Sequence, residues 1–145
     1  MDEKKEPTIL EKLGVDIGYK VSSIKTITEA DIVMFAGVSG DFNPVHMAEE
    51  FAKKTMFGGR IAHGAIAISL LSGAMAKLPG LVILLTHTSR FMKPVRIGDT
   101  ITASGEVTGV RKEKGIVTLK NACINQNGEV VVEGETMVKL FERPA

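Results

Sequence analysis

The stretch that decides the fold is Ala65-Ile-Ala-Ile-Ser-Leu-Leu-Ser-Gly-Ala-Met-Ala76, which is followed by a Pro-Gly pair that ends it. It predicts a helix that is apolar around its circumference, interrupted only by Ser69, Ser72 and Gly73. A helix of this composition is buried on all sides. About twelve helical residues span roughly 18 Å, well short of the roughly twenty that a bilayer needs. The sequence therefore predicts a central core helix and no membrane span.

Long segments rich in β-branched residues follow this helix and predict four strands, over residues 82–91, 99–110, 115–125 and 129–141. Turn sequences at residues 112–115 and 126–128 predict hairpins between the last three. An alternation of apolar residues over 21–27 predicts a further strand. The sequence thus predicts an α+β protein with an antiparallel sheet of about five strands. A sheet wrapped around one central buried helix, the hot-dog fold, satisfies both patterns.

The length of 145 residues predicts one domain, over residues 18–145, behind a polar lead-in over residues 1–17. The net charge of +1 and scattered basic residues predict no nucleic-acid partner. Residues 1–7 carry mixed charge and have no apolar core, so they predict neither a signal peptide nor a transit peptide. Cys123 has no second cysteine to pair with and is expected to be a packing residue. Together these features predict a cytoplasmic protein.

A shorter helix is predicted upstream, with Thr28 as its N-cap and Asp31 three residues later as a variant of the capping box. Gly37 and Gly40 are expected to end this helix. Another short helix is predicted over residues 48–54. The helices place an irregular segment between them, and polar side chains concentrate there.

That segment, Ser39-Gly-Asp-Phe-Asn-Pro-Val-His46, puts a carboxylate, an amide and an imidazole within one turn. Pro44 excludes regular helix before it. In such a turn Asp41 and His46 can face a common point, hold one water and pass its protons, as general acid–base catalysis requires. The same residues also suit a plain turn with a surface histidine.

Gly64 lies at the start of the predicted core helix, directly after His63. The first N–H groups of a helix lack internal partners, and glycine lets a substrate oxygen approach them, which predicts an oxyanion hole. An ordinary helix start fits the same residues. Ser69 either touches substrate or bonds a carbonyl of its own helix. No metal-ligand spacing, phosphate loop or nucleophile elbow is present, so neither a metal nor a cofactor is predicted.

The segment from Ser39 to His46, with Gly64 in Arg60-Ile-Ala-His-Gly64, resembles the MaoC-like (R)-specific enoyl-CoA hydratases. The likeness covers residues 27–140 and includes Arg90-Phe-Met-Lys-Pro-Val-Arg-Ile-Gly-Asp99. It implies a hot-dog homodimer that hydrates trans-2-enoyl-CoA to (R)-3-hydroxyacyl-CoA in fatty acid metabolism.

The resemblance also implies roles for individual residues. Asp41 and His46 would hold the catalytic water, Asn43 would support the site, and the Gly64 N–H would polarise the thioester carbonyl. Ser69 is carried over more loosely, as a residue near the substrate.

Three other functions remain open at the level of the sequence. A dehydratase acting on an acyl-carrier-protein thioester runs the same chemistry in reverse. A hot-dog thioesterase usually carries a carboxylate on its central helix, and residues 65–76 contain neither Asp nor Glu. A non-catalytic acyl-thioester binding module needs Gly64 but has no use for Asp41 beside His46.

Overall fold

The computed structural model describes residues 5–145. The helices are α1 (Ile9–Leu13), α2 (Glu29–Ser39), α3 (Pro44–Met47), α4 (Glu49–Ala52) and α5 (Gly64–Met75), with a 3-10 turn over Lys112–Lys114. The strands are β1 (Lys20–Thr26), β2 (Leu81–Phe91), β3 (Thr100–Arg111), β4 (Ile116–Ile124) and β5 (Val130–Phe141). They form one antiparallel sheet in the order β1-β3-β4-β5-β2.

The predicted α+β hot-dog fold is confirmed: five antiparallel strands pack against the central helix α5. The apolar face of α5 lies mainly on β1 and β3 and forms a core with their inward side chains, such as Ile101 and Ala103. Cys123 is fully buried in the same core, as expected of a packing residue. None of the helices in the described part of the chain is long and apolar enough to span a bilayer.

Helix α5 departs from the prediction on one face. Ser69, Ser72 and Gly73, the residues that interrupt its apolar pattern, are exposed, while Leu71 and Ala74 are buried. The spacing of the exposed three puts them on one side of a helix. The prediction of burial on all sides is therefore wrong for this side in the single chain. The cause is that α5 lies over β1 and β3 and leaves the β2 side of the sheet open.

The amino-terminal segment contains a helix that the sequence did not predict. Thr8 caps α1 through a complete capping box, and Leu10 is fully buried in a core cluster with Val15. The prediction of a polar lead-in over residues 1–17 misses this helix because its three apolar side chains follow a run of charged residues. Residues 1–4 lie outside the described residues, and the domain boundary at residue 18 stays a prediction.

Helix α2 begins at Thr28 and ends at Gly40 as predicted, but Gly37 lies inside the helix and does not end it. The Thr28 hydroxyl accepts the N–H of Asp31, whose carboxylate accepts the N–H of Thr28. Gly40 ends the helix with a φ of 77°, a left-handed conformation that glycine adopts without steric cost. The chain then turns through Asp41 and Asn43 into α3, across the amino-terminal end of α5.

Candidate active site

The carboxylate of Asp41 is held by its own loop. The Asp41 N–H donates to Ser39 Oγ (3.1 Å), and Asp41 Oδ1 accepts the N–H of Asn43 (3.1 Å). These bonds leave Oδ2 free on a side chain that is 47% exposed. A carboxylate in this state is a fixed acceptor that solvent and substrate can reach.

His46 is buried on the short helix α3, which starts where Asn43 caps it and Pro44 takes the first position. Its Nδ1 lies 2.8 Å from the carbonyl oxygen of Ile61. Because a carbonyl only accepts, Nδ1 carries the hydrogen, and Nε2 of the neutral ring is a bare lone pair. That Nε2 lies 4.0 Å from Asp41 Oδ2. The structure thus brings the two predicted catalytic side chains together.

Arg60 holds the backbone beneath His46, a role that the sequence did not predict. Its Nε donates to the His46 carbonyl (2.6 Å), and its guanidinium donates to both carboxylate oxygens of Glu29 (2.8 and 3.0 Å). The Arg60 side chain is only 14% exposed. Such a bidentate pair fixes geometry more strictly than a single ion pair does, so α3 is tied to the start of α2.

His63 is the second residue that the sequence reasoning missed. It is 2% exposed, and its Nε2 lies 2.8 Å from the Asp41 carbonyl oxygen. Its ring lies against that of His46, with centroids 4.1 Å apart and planes 31° apart. A histidine inside an otherwise apolar segment was the available signal, because a buried polar ring needs a partner.

The start of α5 presents two N–H groups without acceptors. Neither Gly64 nor Ala65 donates a backbone hydrogen bond to any of the described residues. The glycine itself has a packing role that was not predicted, because a Cβ there would lie 2.6 Å from Cε1 of Phe91. The Phe91 ring therefore covers the side of Gly64 on which a larger residue would project.

An open cavity of about 500 Å³ adjoins these groups. His46, Gly64 and Ala65 form part of its wall, and the rest is almost entirely apolar: Phe57, Ile61, Ala62, Ala67, Phe91, Met92, Lys93, Pro94, Val95 and Val132. A cavity of this size and polarity takes a small apolar group beside a few convergent polar ones.

The two remaining predicted site residues, Asn43 and Ser69, do not line the cavity. The Asn43 amide oxygen accepts the N–H of Val45 (3.4 Å) and so caps α3, which supports the site from below. Ser69 is outside the cavity wall, and its hydroxyl donates to the Ile66 carbonyl (2.6 Å) in its own helix. Substrate contacts for both residues stay predictions.

Asp41, His46 and His63 each bring one possible ligand atom to within 4.8 Å of the others. Both imidazoles, however, already have one nitrogen hydrogen-bonded to a backbone carbonyl. The expectation that the site uses no metal ion stays a prediction.

The fold and the site together define a class of protein: a hot-dog domain with a carboxylate 4.0 Å from an imidazole and free N–H groups at the start of its central helix. The family model of the MaoC like domain matches residues 14–127, and the chain belongs to that family.

Named relatives and a solved structure agree with this membership. The (R)-specific enoyl-CoA hydratase of Rhodospirillum rubrum is 45% identical over 128 residues, 87% of this chain and 88% of the relative. The 3-hydroxybutyryl-CoA dehydratase of Methylorubrum extorquens is 38% identical over 128 residues, 87% and 81% of the two chains. The structure of the (R)-hydratase from Aeromonas caviae involved in PHA biosynthesis matches with a TM-score of 0.84 and 40% identity, covering 88% of this chain and 98% of that one.

Proposed function

We propose that this protein catalyses the reversible syn hydration of trans-2-enoyl-CoA to (R)-3-hydroxyacyl-CoA. The observation that carries the proposal is the 4.0 Å gap between Asp41 Oδ2 and His46 Nε2, two free acceptor atoms. Of the two residues, His46 lines the cavity and Asp41 does not. The gap is too long for a direct hydrogen bond. For a water about 2.8 Å from each atom, the Oδ2···water···Nε2 angle would be roughly 90°, which suits the donation of its two hydrogens.

The chemistry follows from that water. Its oxygen attacks C3 of the enoyl group while one of its protons passes to the acid–base pair, and the pair supplies one proton to C2. Oxygen and hydrogen thus arrive from the same side, because Asp41 and His46 act on the same water. In the reverse direction the pair takes the proton from C2 and returns one to the departing hydroxyl.

The N–H of Gly64 serves as the oxyanion donor. Addition at C3 moves negative charge onto the thioester oxygen as an enolate forms, and a donor aimed at that oxygen stabilises it. The neighbouring N–H of Ala65 is also free and is the second donor. The apolar cavity wall takes the acyl group.

The direct test is to mix the purified protein with crotonyl-CoA and follow loss of the enoyl absorbance, with free thiol measured in parallel. Hydration without thiol release is expected. Thiol release without hydration would reject the proposal in favour of a thioesterase, and binding without either reaction would favour a non-catalytic binding module. Repeating the assay with the acyl-carrier-protein thioester separates the CoA enzyme from the carrier-protein dehydratase.

The residue roles are tested by a four-enzyme cycle. Asp41→Asn and His46→Gln are each expected to lower turnover roughly 10²–10⁴-fold, the usual effect of losing a positioned acid or base. Because both act on one water, the double variant should be little worse than the worse single one. Asp16→Asn, outside the site, is the control. Fully additive losses, or an active Asp41→Asn enzyme, would reject the pair.

The proposal includes a homodimer formed through β2. This strand is an edge of the sheet, and its side chains Ile83, Leu84 and Leu85 are substantially exposed, as is the Ser69 side of α5 next to it. Proteins cover long apolar edges, and a two-fold pairing of the same edge covers both copies at once. Because Phe91 ends β2 and lines the cavity, this interface would lie beside the substrate.

Light scattering at micromolar concentration tests this assembly. Leu84→Lys, at a side chain that is 55% exposed on β2, is expected to give monomers. Val38→Lys, at an 88% exposed position on α2, is the matched control and should leave the dimer intact. An active wild-type monomer at this concentration would contradict the dimer.

A further inference from the structure

We infer that His63 is a positioning residue that sets the geometry of Asp41 against His46. The inference rests on the proposed hydration and adds a third side chain to its site. It starts from the position of His63 directly before α5, where a side chain ordinarily accepts an N–H of the first turn. His63 makes no such bond. Its ring turns instead toward the loop that carries Asp41.

One edge of the ring fixes that loop. His63 Nε2 lies 2.8 Å from the Asp41 carbonyl oxygen, across 22 residues of chain. The other bonds of Asp41, to Ser39 and Asn43, are made within its own loop. His63 therefore provides the hydrogen bond that joins the Asp41 backbone to the start of α5. Without it, the loop is tied to itself but not to the oxyanion donors.

The face of the same ring supports the second catalytic group. The centroids of His63 and His46 are 4.1 Å apart, and Phe35 lies on His63 at 4.8 Å. His46 is thus fixed at Nδ1 by a carbonyl and at its face by His63. With Gly64 as its covalent neighbour, His63 touches all three parts of the proposed machinery.

The protonation of His63 follows from its partners. The Asp41 carbonyl requires a hydrogen on Nε2, and Nδ1 is buried without any partner among the described residues. The Nε2–H form donates to the Asp41 loop and leaves Nδ1 as a buried acceptor beside the His46 ring.

Two substitutions distinguish the hydrogen bond made at the edge of the His63 ring from the packing of its face. His63→Gln places an amide N–H near the position of Nε2 but loses the flat ring, and His63→Phe keeps a flat ring but loses the donor. If the bond to Asp41 positions the carboxylate, Phe should lower kcat by roughly 10²-fold, as expected of a misplacement near 1 Å. KM should change by less than threefold, and Gln should recover at least tenfold of the lost rate.

The decisive measurement repeats His63→Phe in the Asp41→Asn background. A residue that acts through Asp41 should cost little further turnover there, whereas a merely structural residue would give additive losses. Additivity, or a Gln variant no better than Phe, would overturn the inference. Thermal unfolding of each variant verifies that it is folded.

The ¹⁵N shifts of the wild-type histidines provide a test that needs no variant and no activity. They should place the hydrogen on Nε2 of His63 and on Nδ1 of His46. A His63 that carries no hydrogen on Nε2 would overturn the inference even if hydration is confirmed. A wild-type protein that does not hydrate crotonyl-CoA, with the expected shifts, would instead reject the proposed function alone.

Discussion

Replacing Gly64 is the sharpest test of the oxyanion assignment. The structure shows how the effect of losing the N–H can be measured separately from the effect of a clash with neighbouring side chains. Any side chain at this position meets the Phe91 ring, since a Cβ would lie 2.6 and 2.8 Å from two of its atoms. The ring is 57% exposed, so trimming it costs on the order of 1 kcal/mol, less than half of a fully buried phenylalanine. The comparison is therefore made in a Phe91→Ala background.

In that background Gly64→Ala adds a Cβ and keeps the donor, whereas Gly64→Pro adds a ring and removes the donor. Proline suits the first position of a helix. The preceding residue, His63, has φ −57° and ψ 130°, the extended conformation that proline favours before it. Both double variants should therefore fold, and thermal unfolding checks that they do.

Turnover on crotonyl-CoA should separate the two. Loss of one oxyanion donor lowers kcat by about 10²–10³, or about 2.7–4 kcal/mol of transition-state stabilisation. The Ala65 N–H should sustain the residual rate of the proline variant. If Gly64→Pro turns over within threefold of Gly64→Ala, the Gly64 N–H does not stabilise the enolate.

Three further predictions concern the scaffold. Gly134→Ala should destabilise the fold by at least about 3 kcal/mol in urea, because its Cβ would lie 1.9 Å from a β2 carbonyl; Gly109→Ala, with 3.7 Å to its nearest atom, is the tolerated control. Burial acts to raise the pKa of Asp31, but a hydrogen bond from Lys25 and further bonds outweigh it and hold the pKa below 3.8. Its stabilisation should thus be complete above pH 3.8 and lost as pH falls further, and Asp31→Asn should unfold with less dependence on acid. Burial raises the pKa of Cys123 to about 11, so thiol reagents at pH 8 should label it only after unfolding.

The elements that the sequence predicted well are those whose limits are local. Thr28 and Gly40 bound α2 through bonds within a few residues, and the turns before Gly115 and Gly128 bound the last strands in the same way. Helix α1 was missed because its stability comes from distant contacts with β5 and the turn before β4. With only five residues, α1 is too short for its apolar side chains to show a helical period.

The candidate site shows the same difference between features set by local sequence and features set by distant contacts. Asp41 and His46 were predictable because Pro44 forces them into one turn. The partner of His63 was not, because the carbonyl it binds is 22 residues away and becomes a neighbour only when α5 docks. The contact of Phe91 with Gly64 was equally unpredictable from the sequence, since it depends on where the far end of β2 lies beside α5. Contacts of this kind belong to the tertiary fold.

The strand order has a consequence for synthesis in the cell. Among the strands of residues 5–145, β2 is the second to be synthesised, yet its single neighbour in the sheet is β5, the fifth. About forty residues separate the two, so β2 waits roughly two to eight seconds at ordinary translation rates. Throughout that interval an apolar strand has no backbone partner and can pair with other nascent chains. We therefore expect newly made chains to depend on chaperones during that delay.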